Sequence, residues 1–238
     1  MKIWKTKSSY KIIQLLSGRS NVFLLTNGVQ NIMIDTSPKY MWNLLQKRLN
    51  RLNVNHIDYL ILTHTHMDHS ENSHRIKEKY NSMVIVHSNE ASYLSSGINV
   101  IPGGTNVFTH FLIKYLAKYS APKIRYTPCK YDFVVDTKSD LHSFGFNAYI
   151  LHTPGHSPGS MSVIIDDEVA VVGDTMFGVF KGSVFPPYAD DIDQMINSWG
   201  KLLETNCSVF LPGHGSANNR SLVQKDYFRR IKQFNLMT

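Results

Sequence analysis

The chain has 238 residues, 42% hydrophobic and 18% charged, a composition that excludes a mainly disordered or collagen-like protein. The formal net charge of +7 is compatible with nucleic-acid binding. The excess of basic residues is, however, confined to residues 1–60, which hold nine Lys or Arg and two Asp. Because these basic residues form no compact cluster and no nucleic-acid-binding motif accompanies them, we expect no nucleic-acid partner.

The first half of the chain alternates strands with helices. Strands are predicted over 11–16, 21–27, 30–35, 58–63 and 83–87, and helices over 39–52, 71–80 and 89–94. The dipeptide Asn27-Gly28 predicts a tight hairpin between the second and third strands. Ser37, placed before Pro38, predicts an N-cap for the first helix.

The second half repeats this order. Strands are predicted over 132–135, 147–152, 161–166, 169–172 and 208–211, and helices over 190–204 and 222–234. Two β-rich halves that each end in helices predict an α/β protein in which two packed sheets are covered by helices on their outer faces. We expect a single domain over residues 1–238, with one inserted segment at about 98–130.

The sequence carries few signals for disulfide cross-linking or for targeting. Cys129 and Cys207 are isolated in the sequence, which predicts two free thiols. No segment approaches the roughly 18 apolar residues of a membrane span, and the basic start lacks the apolar run of a signal peptide. We therefore expect a soluble cytoplasmic protein without a membrane partner.

The sharpest feature of the sequence is a cluster of three imidazoles and a carboxylate at the end of the strand predicted over 58–63. The cluster consists of His64, His66, Asp68 and His69. Alternation places His64 and His66 on the same side of an extended chain, so that one metal ion could bind both. The turn that follows would direct Asp68 and His69 to a neighbouring position.

Three further candidate ligands occupy Gly-rich turns that follow predicted strands. They are His156 after Pro154-Gly155, Asp174 after Gly173, and His214 between Gly213 and Gly215. Glycine permits the tight turns that bring such side chains to a shared centre. Each of these turns alone is a weak signal, but in combination with the histidine cluster they predict a metal site.

In this order the seven residues resemble the ligand pattern of the metallo-β-lactamase superfamily, and the resemblance spans about residues 21–216. It implies an αββα sandwich, with two mixed β-sheets flanked by helices and a two-metal centre between the sheets. By motif position, the first metal is held by His64, His66 and His156, the second by Asp68, His69 and His214, and both by Asp174. Imidazoles and carboxylates suit Zn²⁺, so two Zn²⁺ per chain are expected, although Fe or Mn accept the same ligands.

The resemblance also implies a reaction. A hydroxide that bridges two metals would attack a carbonyl, and Asp68 would orient it and pass on its proton. Within the superfamily, the segments 153–156 and 173–177 are most similar to glyoxalase II, the hydroxyacylglutathione hydrolase, and to its short single-domain relatives. The expected function is hydrolysis of a small anionic acyl thioester or ester.

Two alternatives stay open. Acyl-homoserine lactonases share a segment like His156–Gly159 and use a tyrosine near the metals, for which Tyr188 and Tyr115 are candidates. Persulfide dioxygenases use the same fold with a single iron held at the positions of His64, His156 and Asp174, so the metal content separates them from a hydrolase. A homodimer is compatible with the sequence.

The inserted segment is the candidate determinant of the substrate. On a helix, one face would carry Phe108, Phe111, Leu112 and Tyr115, with Lys114 and Lys118 off that face. Residues 91–131 hold five basic residues and no acidic one. We expect a helical lid that covers the metal cleft and attracts an anionic substrate, and the alternative is an ordinary pair of packing helices.

Overall fold

A computed structural model of the chain describes residues 1–106 and 125–235, together with Thr109, Phe111 and Ile113. Its first sheet is mixed, with seven strands that lie side by side in chain order. These strands are β1 Ile3–Lys5, β2 Lys11–Leu16, β3 Val22–Thr26, β4 Asn31–Ile34, β5 Tyr59–Ile61, β6 Met83–His87 and β7 Phe133–Val135. Strands β1 to β4 pair antiparallel and β4 to β7 pair parallel.

The second sheet is also mixed and has six strands in the order β13-β12-β11-β10-β9-β8. They are β8 Lys138–Asp140, β9 Ala148–His152, β10 Met161–Ile165, β11 Val169–Gly178, β12 Val209–Gly215 and β13 Asn218–Asn219. Strand β12 pairs parallel to β11, whereas the other neighbours pair antiparallel.

Helices cover the outer face of each sheet. They are α1 Trp42–Arg51, α2 Met67–Ser70, α3 Ser73–Tyr80, α4 Ser88–Ser96, α5 Ile192–Glu204 and α6 Arg220–Asn235, with 3₁₀ turns at Lys39–Met41 and His142–Phe144. Leu45 of α1, Ile76 of α3 and Leu94 of α4 pack on the first sheet, while Trp199 of α5 and Val223 of α6 pack on the second.

The alternation of side chains along the strands builds three apolar layers. In β3, Phe23 and Leu25 face the cluster between the two sheets, whereas Leu24 faces the helices. In β10, Val163 faces the same central cluster and Ile164 faces α5 and α6. Each sheet is therefore buried on both faces, and the predicted αββα sandwich is confirmed.

Two local predictions need correction. The hairpin predicted at Asn27-Gly28 is present, since β3 pairs antiparallel with β4, but its connection is a four-residue loop over 27–30. The Asn27 side chain accepts hydrogen bonds from the Val29 and Gln30 amides within this loop. Ser37 does not cap the first helix. It adopts a left-handed φ of 70°, and Glu71 instead accepts the hydrogen bond from the Lys39 amide at 2.6 Å.

Candidate metal centre

The structure brings all seven candidate ligands together between the edges of the two sheets. His64 and His66 follow β5, and Asp68 and His69 lie in the single turn of α2, which begins after His66. His156 lies in the loop between β9 and β10. The chain reversal after β5 thus presents four ligand-type side chains within six residues.

Asp174 and His214 lie inside strands rather than on the turns predicted to follow them. Strands β11 and β12 continue past Gly173 and pair again at Phe177 and His214, with irregular register between the two stretches. This irregularity displaces Asp174 from the regular ladder toward the histidines. Long-range strand pairing, which the local pattern does not encode, therefore extends both elements.

The seven side chains form three groups of ligand size, and the group of His64, His69 and Asp174 shares a histidine with each of the other two. Side-chain atoms of His64, His66 and His156 lie within 4.8 Å of one another, and so do those of Asp68, His69 and His214. In the first group, His156 Nε2 lies 3.0 Å from His66 Nδ1. In the second, His214 Nε2 lies 3.2 Å from Asp68 Oδ2 and 3.4 Å from His69 Nε2.

Asp174 lies between the two groups. Its Oδ2 is 3.5 Å from His156 Nε2 and 3.2 Å from His214 Nε2, and its Oδ1 is 3.4 Å from His69 Nε2. One carboxylate thus faces a histidine of the first group and two of the second. This is the position that a bridging ligand requires.

Hydrogen bonds at the far side of three rings fix which nitrogen faces the centre. The Thr63 hydroxyl donates its only proton to Asp35 Oδ2, so at 3.1 Å it accepts from His64 Nδ1. His156 Nδ1 donates to the Tyr188 carbonyl at 2.9 Å, and His69 Nδ1 donates to Asp35 Oδ2 at 2.8 Å. Because Nδ1 is engaged on the outer side, Nε2 of each ring faces the centre, which is how second partners orient metal-ligating histidines.

Several buried polar atoms of the centre lack a partner. His64 Nε2, His66 Nε2 and Asp174 Oδ1 are buried without a hydrogen bond to any described residue. An unsatisfied buried polar atom costs about 1–3 kcal/mol, so three together in one site indicate a missing ligand. Nitrogen and carboxylate oxygen donors in this number fit divalent metal ions such as Zn²⁺.

The charges of the buried rings follow their surroundings. Burial lowers the pKa of His64 well below its usual value, and repulsion from the neighbouring imidazoles acts in the same direction. Burial and the nearby His156 likewise lower the pKa of His66 to about 3. Both rings are therefore neutral near pH 7, the form that binds a metal.

The groups beside the carboxylates behave in the opposite way. Burial lowers the pKa of His214, but the carboxylates of Asp174 and Asp68 outweigh burial and raise it to about 9. Burial raises the pKa of Asp68, yet the adjacent His69 and His214 bring it down to about 2. The acidic side of the centre thus attracts positive charge.

Asp35 is a supporting residue that the sequence analysis missed. It directly follows β4 with a left-handed φ of 62°, and its Oδ1 accepts a hydrogen bond from the Thr63 amide at 2.8 Å. Its Oδ2 receives the hydrogen bonds from Thr63 and His69. An acidic residue at the end of a buried strand was the only available sequence signal.

Glu90 in α4 is the second missed residue. Its buried carboxylate accepts from the Thr65 amide at 3.1 Å, from the Thr65 hydroxyl, and from the Ser157 hydroxyl at 2.7 Å. Thr65 separates His64 from His66, and Ser157 follows His156. Glu90 therefore ties together the two segments that carry the first ligand group.

Glycine is required where strand β12 approaches the centre. A Cβ at Gly213 would lie 2.2 Å from Asp174 Oδ1 and 2.7 Å from His69 Cε1. A Cβ at Gly173, whose φ is +50°, would lie 2.6 Å from the Thr63 hydroxyl oxygen. Any larger residue would displace ligand-type side chains or their supports.

The centre opens into a cavity of about 560 Å³. Asp68 and His214 are among its lining residues, and Asp68, with 36% of its side chain exposed against 5% for Asp174, is the more accessible of the two candidate carboxylate ligands. Residues 99–102, at the start of the predicted insertion, line one wall, and Tyr188 and Phe177 line another part. A small organic molecule fits this volume.

The proposed lid stays a prediction. Phe111 is described, is 71% exposed and is not among the residues that line the cavity. Phe108, Leu112, Lys114, Tyr115 and Lys118 lie outside the described residues. Ahead of them, Gly104 pairs with Tyr188 in an isolated bridge, which connects the base of the segment to the cavity.

Comparison with known proteins places the chain in a class. Residues 17–214 match the family model of the metallo-beta-lactamase superfamily, and the chain belongs to that superfamily. It is 31% identical over 205 residues to the "Probable metallo-hydrolase MJ0888" of Methanocaldococcus jannaschii, covering 84% of this chain and 90% of the relative.

Two further similarities bear on activity and fold. The "Hydroxyacylglutathione hydrolase GloC" of Haemophilus influenzae is 27% identical over 216 residues, which cover 87% of this chain and 90% of the relative. The crystal structure of the BLEG-1 B3 metallo-beta-lactamase superposes with a TM-score of 0.68 at 20% identity, covering 91% of this chain and 96% of that protein. The latter similarity supports the fold alone. None of the helices among the described residues combines the length and apolar character that crossing a membrane requires.

Proposed function

We propose that the protein is a binuclear zinc hydrolase that cleaves a small acyl thioester or ester. The observation that carries the proposal is the convergence of seven ligand-type side chains in two groups around Asp174, with three of their buried atoms unpartnered. One ion would be held by His64, His66 and His156, the second by Asp68, His69 and His214, and both by Asp174. Fe or Mn would fit the same donors.

Bound zinc would supply Lewis-acid activation of both a water molecule and the substrate carbonyl. The chain contributes orientation and proton transfer. Asp68 places Oδ2 3.2 Å from His214 Nε2, and its carboxylate is the exposed one of the site. With a pKa of about 2 it is ionised at neutral pH, so it can accept a hydrogen bond from the attacking water and pass on the proton.

A thioester is favoured over an oxygen ester by the chemistry of the leaving group. A thiolate departs without prior protonation because its parent thiol has a pKa of ~8.5, whereas an alkoxide needs a proton donor. The relative from Haemophilus influenzae is named as a hydrolase of hydroxyacylglutathione, which is a thioester. Both points support a thioesterase that acts on a small molecule rather than on nucleic acid.

A lactonase is the second candidate, and Tyr188 is the observation that favours it. Tyr188 lines the cavity beside His156, and its carbonyl holds the His156 ring in place. A phenol there could donate the proton that an opened lactone needs. Replacing Tyr188 with Phe should therefore lower lactone turnover much more than thioester turnover.

A side-by-side assay of acyl thioesters, acyl-homoserine lactones and phosphodiesters with the zinc-loaded protein tests the proposal, alongside metal analysis. We expect two zinc ions per chain and turnover of thioesters first. A single iron per chain with oxygen-dependent consumption of a persulfide would instead establish a dioxygenase. Turnover of phosphodiesters alone would also refute the acyl-hydrolase proposal.

A further inference from the structure

One side of the cavity carries a cation that neither the ligand pattern nor the predicted lid includes. Arg19 lies in the loop between β2 and β3 and lines the same cavity as Asp68 and His214. Among the described residues that line this cavity, it is the one Lys or Arg side chain. Its charge therefore stands out against histidines, carboxylates and apolar groups.

The two residues that follow Arg19 are hydrogen-bonded to the two chain segments that carry Asp68 and His214. The next residue, Ser20, donates its hydroxyl to the Asp68 carbonyl at 2.6 Å. The Asn21 amide then donates to the Gly213 carbonyl at 2.6 Å, next to His214. Arg19 is consequently held at a defined place relative to both ends of the second ligand group, although its side chain is exposed.

The side chain is positioned by a neutral partner and leaves its charge uncompensated. Arg19 Nε donates to the Tyr40 hydroxyl at 3.1 Å. Across the described residues, no carboxylate lies within salt-bridge distance of its guanidinium, and no protein acceptor engages its two terminal nitrogens. A guanidinium presents those nitrogens as a planar fork that matches a carboxylate.

The cavity that Arg19 shares with the ligand groups is suited to an apolar stem. Tyr40, Met67, Val100 and Ile101 are also among its lining residues, so a short carbon chain can pack there. Asp68 and Asp174, the acidic groups among its lining residues, belong to the proposed metal site. Among the described residues that line the cavity, Arg19 is therefore the one Lys or Arg that a ligand carboxylate would meet.

We propose that Arg19, positioned by Tyr40, binds a carboxylate of the substrate and makes the enzyme selective for anionic acyl compounds. This inference rests on the proposed hydrolase function, because it locates the second end of that substrate. This carboxylate belongs either to the acyl group or to the thiol of the substrate. Probes that carry the charge on one side or the other distinguish these two possibilities.

Binding without turnover gives the first test. The probes are uncleavable thioethers of N-acetylcysteamine, one with a 4-carboxybutyl group and a neutral twin with a pentyl group, together with S-pentyl-3-mercaptopropionate, which carries the charge on the thiol side. Calorimetric titration into the zinc-loaded protein should show an anionic thioether that binds about tenfold or more tightly to the wild type than to Arg19→Gln. The neutral twin should bind both proteins alike.

Matched variants separate a specific contact from general charge. Arg51→Gln removes the same charge from the exposed end of α1, away from the cavity, and should bind all probes as the wild type does. Arg19→Lys keeps the charge without the fork and should lie between wild type and Arg19→Gln. Tyr40→Phe should weaken anion binding by a few-fold because it frees the guanidinium.

The kinetic test uses the corresponding thioesters. S-glutaryl-N-acetylcysteamine or S-pentanoyl-3-mercaptopropionate should show a raised KM with little change in kcat in Arg19→Gln, whereas S-pentanoyl-N-acetylcysteamine should be unaffected. Equal binding and equal KM in wild type and Arg19→Gln, or failure of both anionic thioethers to bind the wild type, overturns the inference. If binding of the anionic thioethers depends on Arg19 but no thioester or ester is turned over, the anion site is supported and the hydrolase function is refuted. If thioesters are turned over with the same KM in wild type and Arg19→Gln, the hydrolase function is supported and the anion site is refuted.

Discussion

The Asp35 carboxylate accepts a hydrogen bond from His69 Nδ1 at 2.8 Å, and both side chains are buried. The same oxygen receives the Thr63 hydroxyl, whose own oxygen accepts from the His64 ring. One residue at the end of β4 thereby orients a histidine of each ligand group. The two ligand groups therefore share Asp35 as a hydrogen-bonding partner, and both contact the candidate ligand Asp174.

Replacing Asp35 with Asn should weaken metal binding and activity together. The amide NH₂ of Asn would face the His69 and Thr63 donors, and loss of such an outer partner costs about 10–100-fold in metal affinity or activity. Zinc affinity measured by competition with a chelator tests this. Asp136→Asn, which alters an exposed carboxylate outside the site, should behave as the wild type. Unchanged zinc affinity in Asp35→Asn would contradict the orienting role.

Replacing Asp68 with Asn should lower kcat by about 10²–10⁴-fold, because an amide cannot accept the proton of the attacking water. Steady-state kinetics on the best substrate, with zinc counted per chain, gives the answer. Zinc at the first ligand group should persist, since His64, His66 and His156 are untouched. If kcat survives with both metals bound, Asp68 is not the proton acceptor.

Gly213→Ala should lose activity beyond what its stability explains. The added Cβ would press on Asp174 Oδ1 and the His69 ring, and overpacking of this kind costs about 1–3 kcal/mol. Gly28→Ala is the control, because its φ of +92° strains the backbone while no atom lies within 4 Å of the new Cβ. We expect both variants to unfold at lower urea concentration and only Gly213→Ala to bind less zinc. Equal zinc content in the two would count against the close-packing argument.

Glu90→Gln should destabilise the fold and loosen the first ligand group. Its amide would place a donor against hydroxyl and backbone donors of Thr65 and Ser157, at a cost of about 1–3 kcal/mol for each group left unsatisfied. Urea unfolding measures the stability. Glu168→Gln alters a carboxylate whose one side-chain hydrogen bond among the described residues is to the exposed Lys7 amide, so it serves as control. A stability equal to that of the control would show that Glu90 is not a structural tie.

The two cysteines should resist alkylation while the protein is folded. Burial raises the pKa of the Cys129 thiol to about 12 and that of Cys207 to about 11, so the reactive thiolate is scarce at pH 8. Mass spectrometry after iodoacetamide treatment should find both thiols unmodified in buffer and modified in denaturant. Raising the pH toward their pKa should increase the rate, since more thiolate then forms. Rapid labelling of the folded protein at pH 8 would contradict their burial.

The sequence alone predicted most strands and helices and the seven candidate ligands, but it missed the short strands β1, β8 and β13 and the single turn of α2. The nearly continuous apolar runs at 22–26 and 161–165 reflect burial on two faces, and a cluster like 64–69 is visible because its members are neighbours in the chain. The family resemblance supplied the order of the remaining ligands. These signals depend on residues that are neighbours in the chain or on their order along it, so a single sequence contains them.

The hydrogen-bonding partners of the candidate ligands and the residues that line the cavity became visible only in the tertiary structure. Asp35 meets Thr63 across 28 residues, and Asn21 hydrogen-bonds to Pro212 and Gly213 of β12, beside His214, across nearly the whole chain. The prolonged pairing of β11 with β12 drew Asp174 and His214 into strands, and the β2–β3 loop brought Arg19 to the cavity. Such contacts depend on how the two sheets pack, and no local periodicity records that packing.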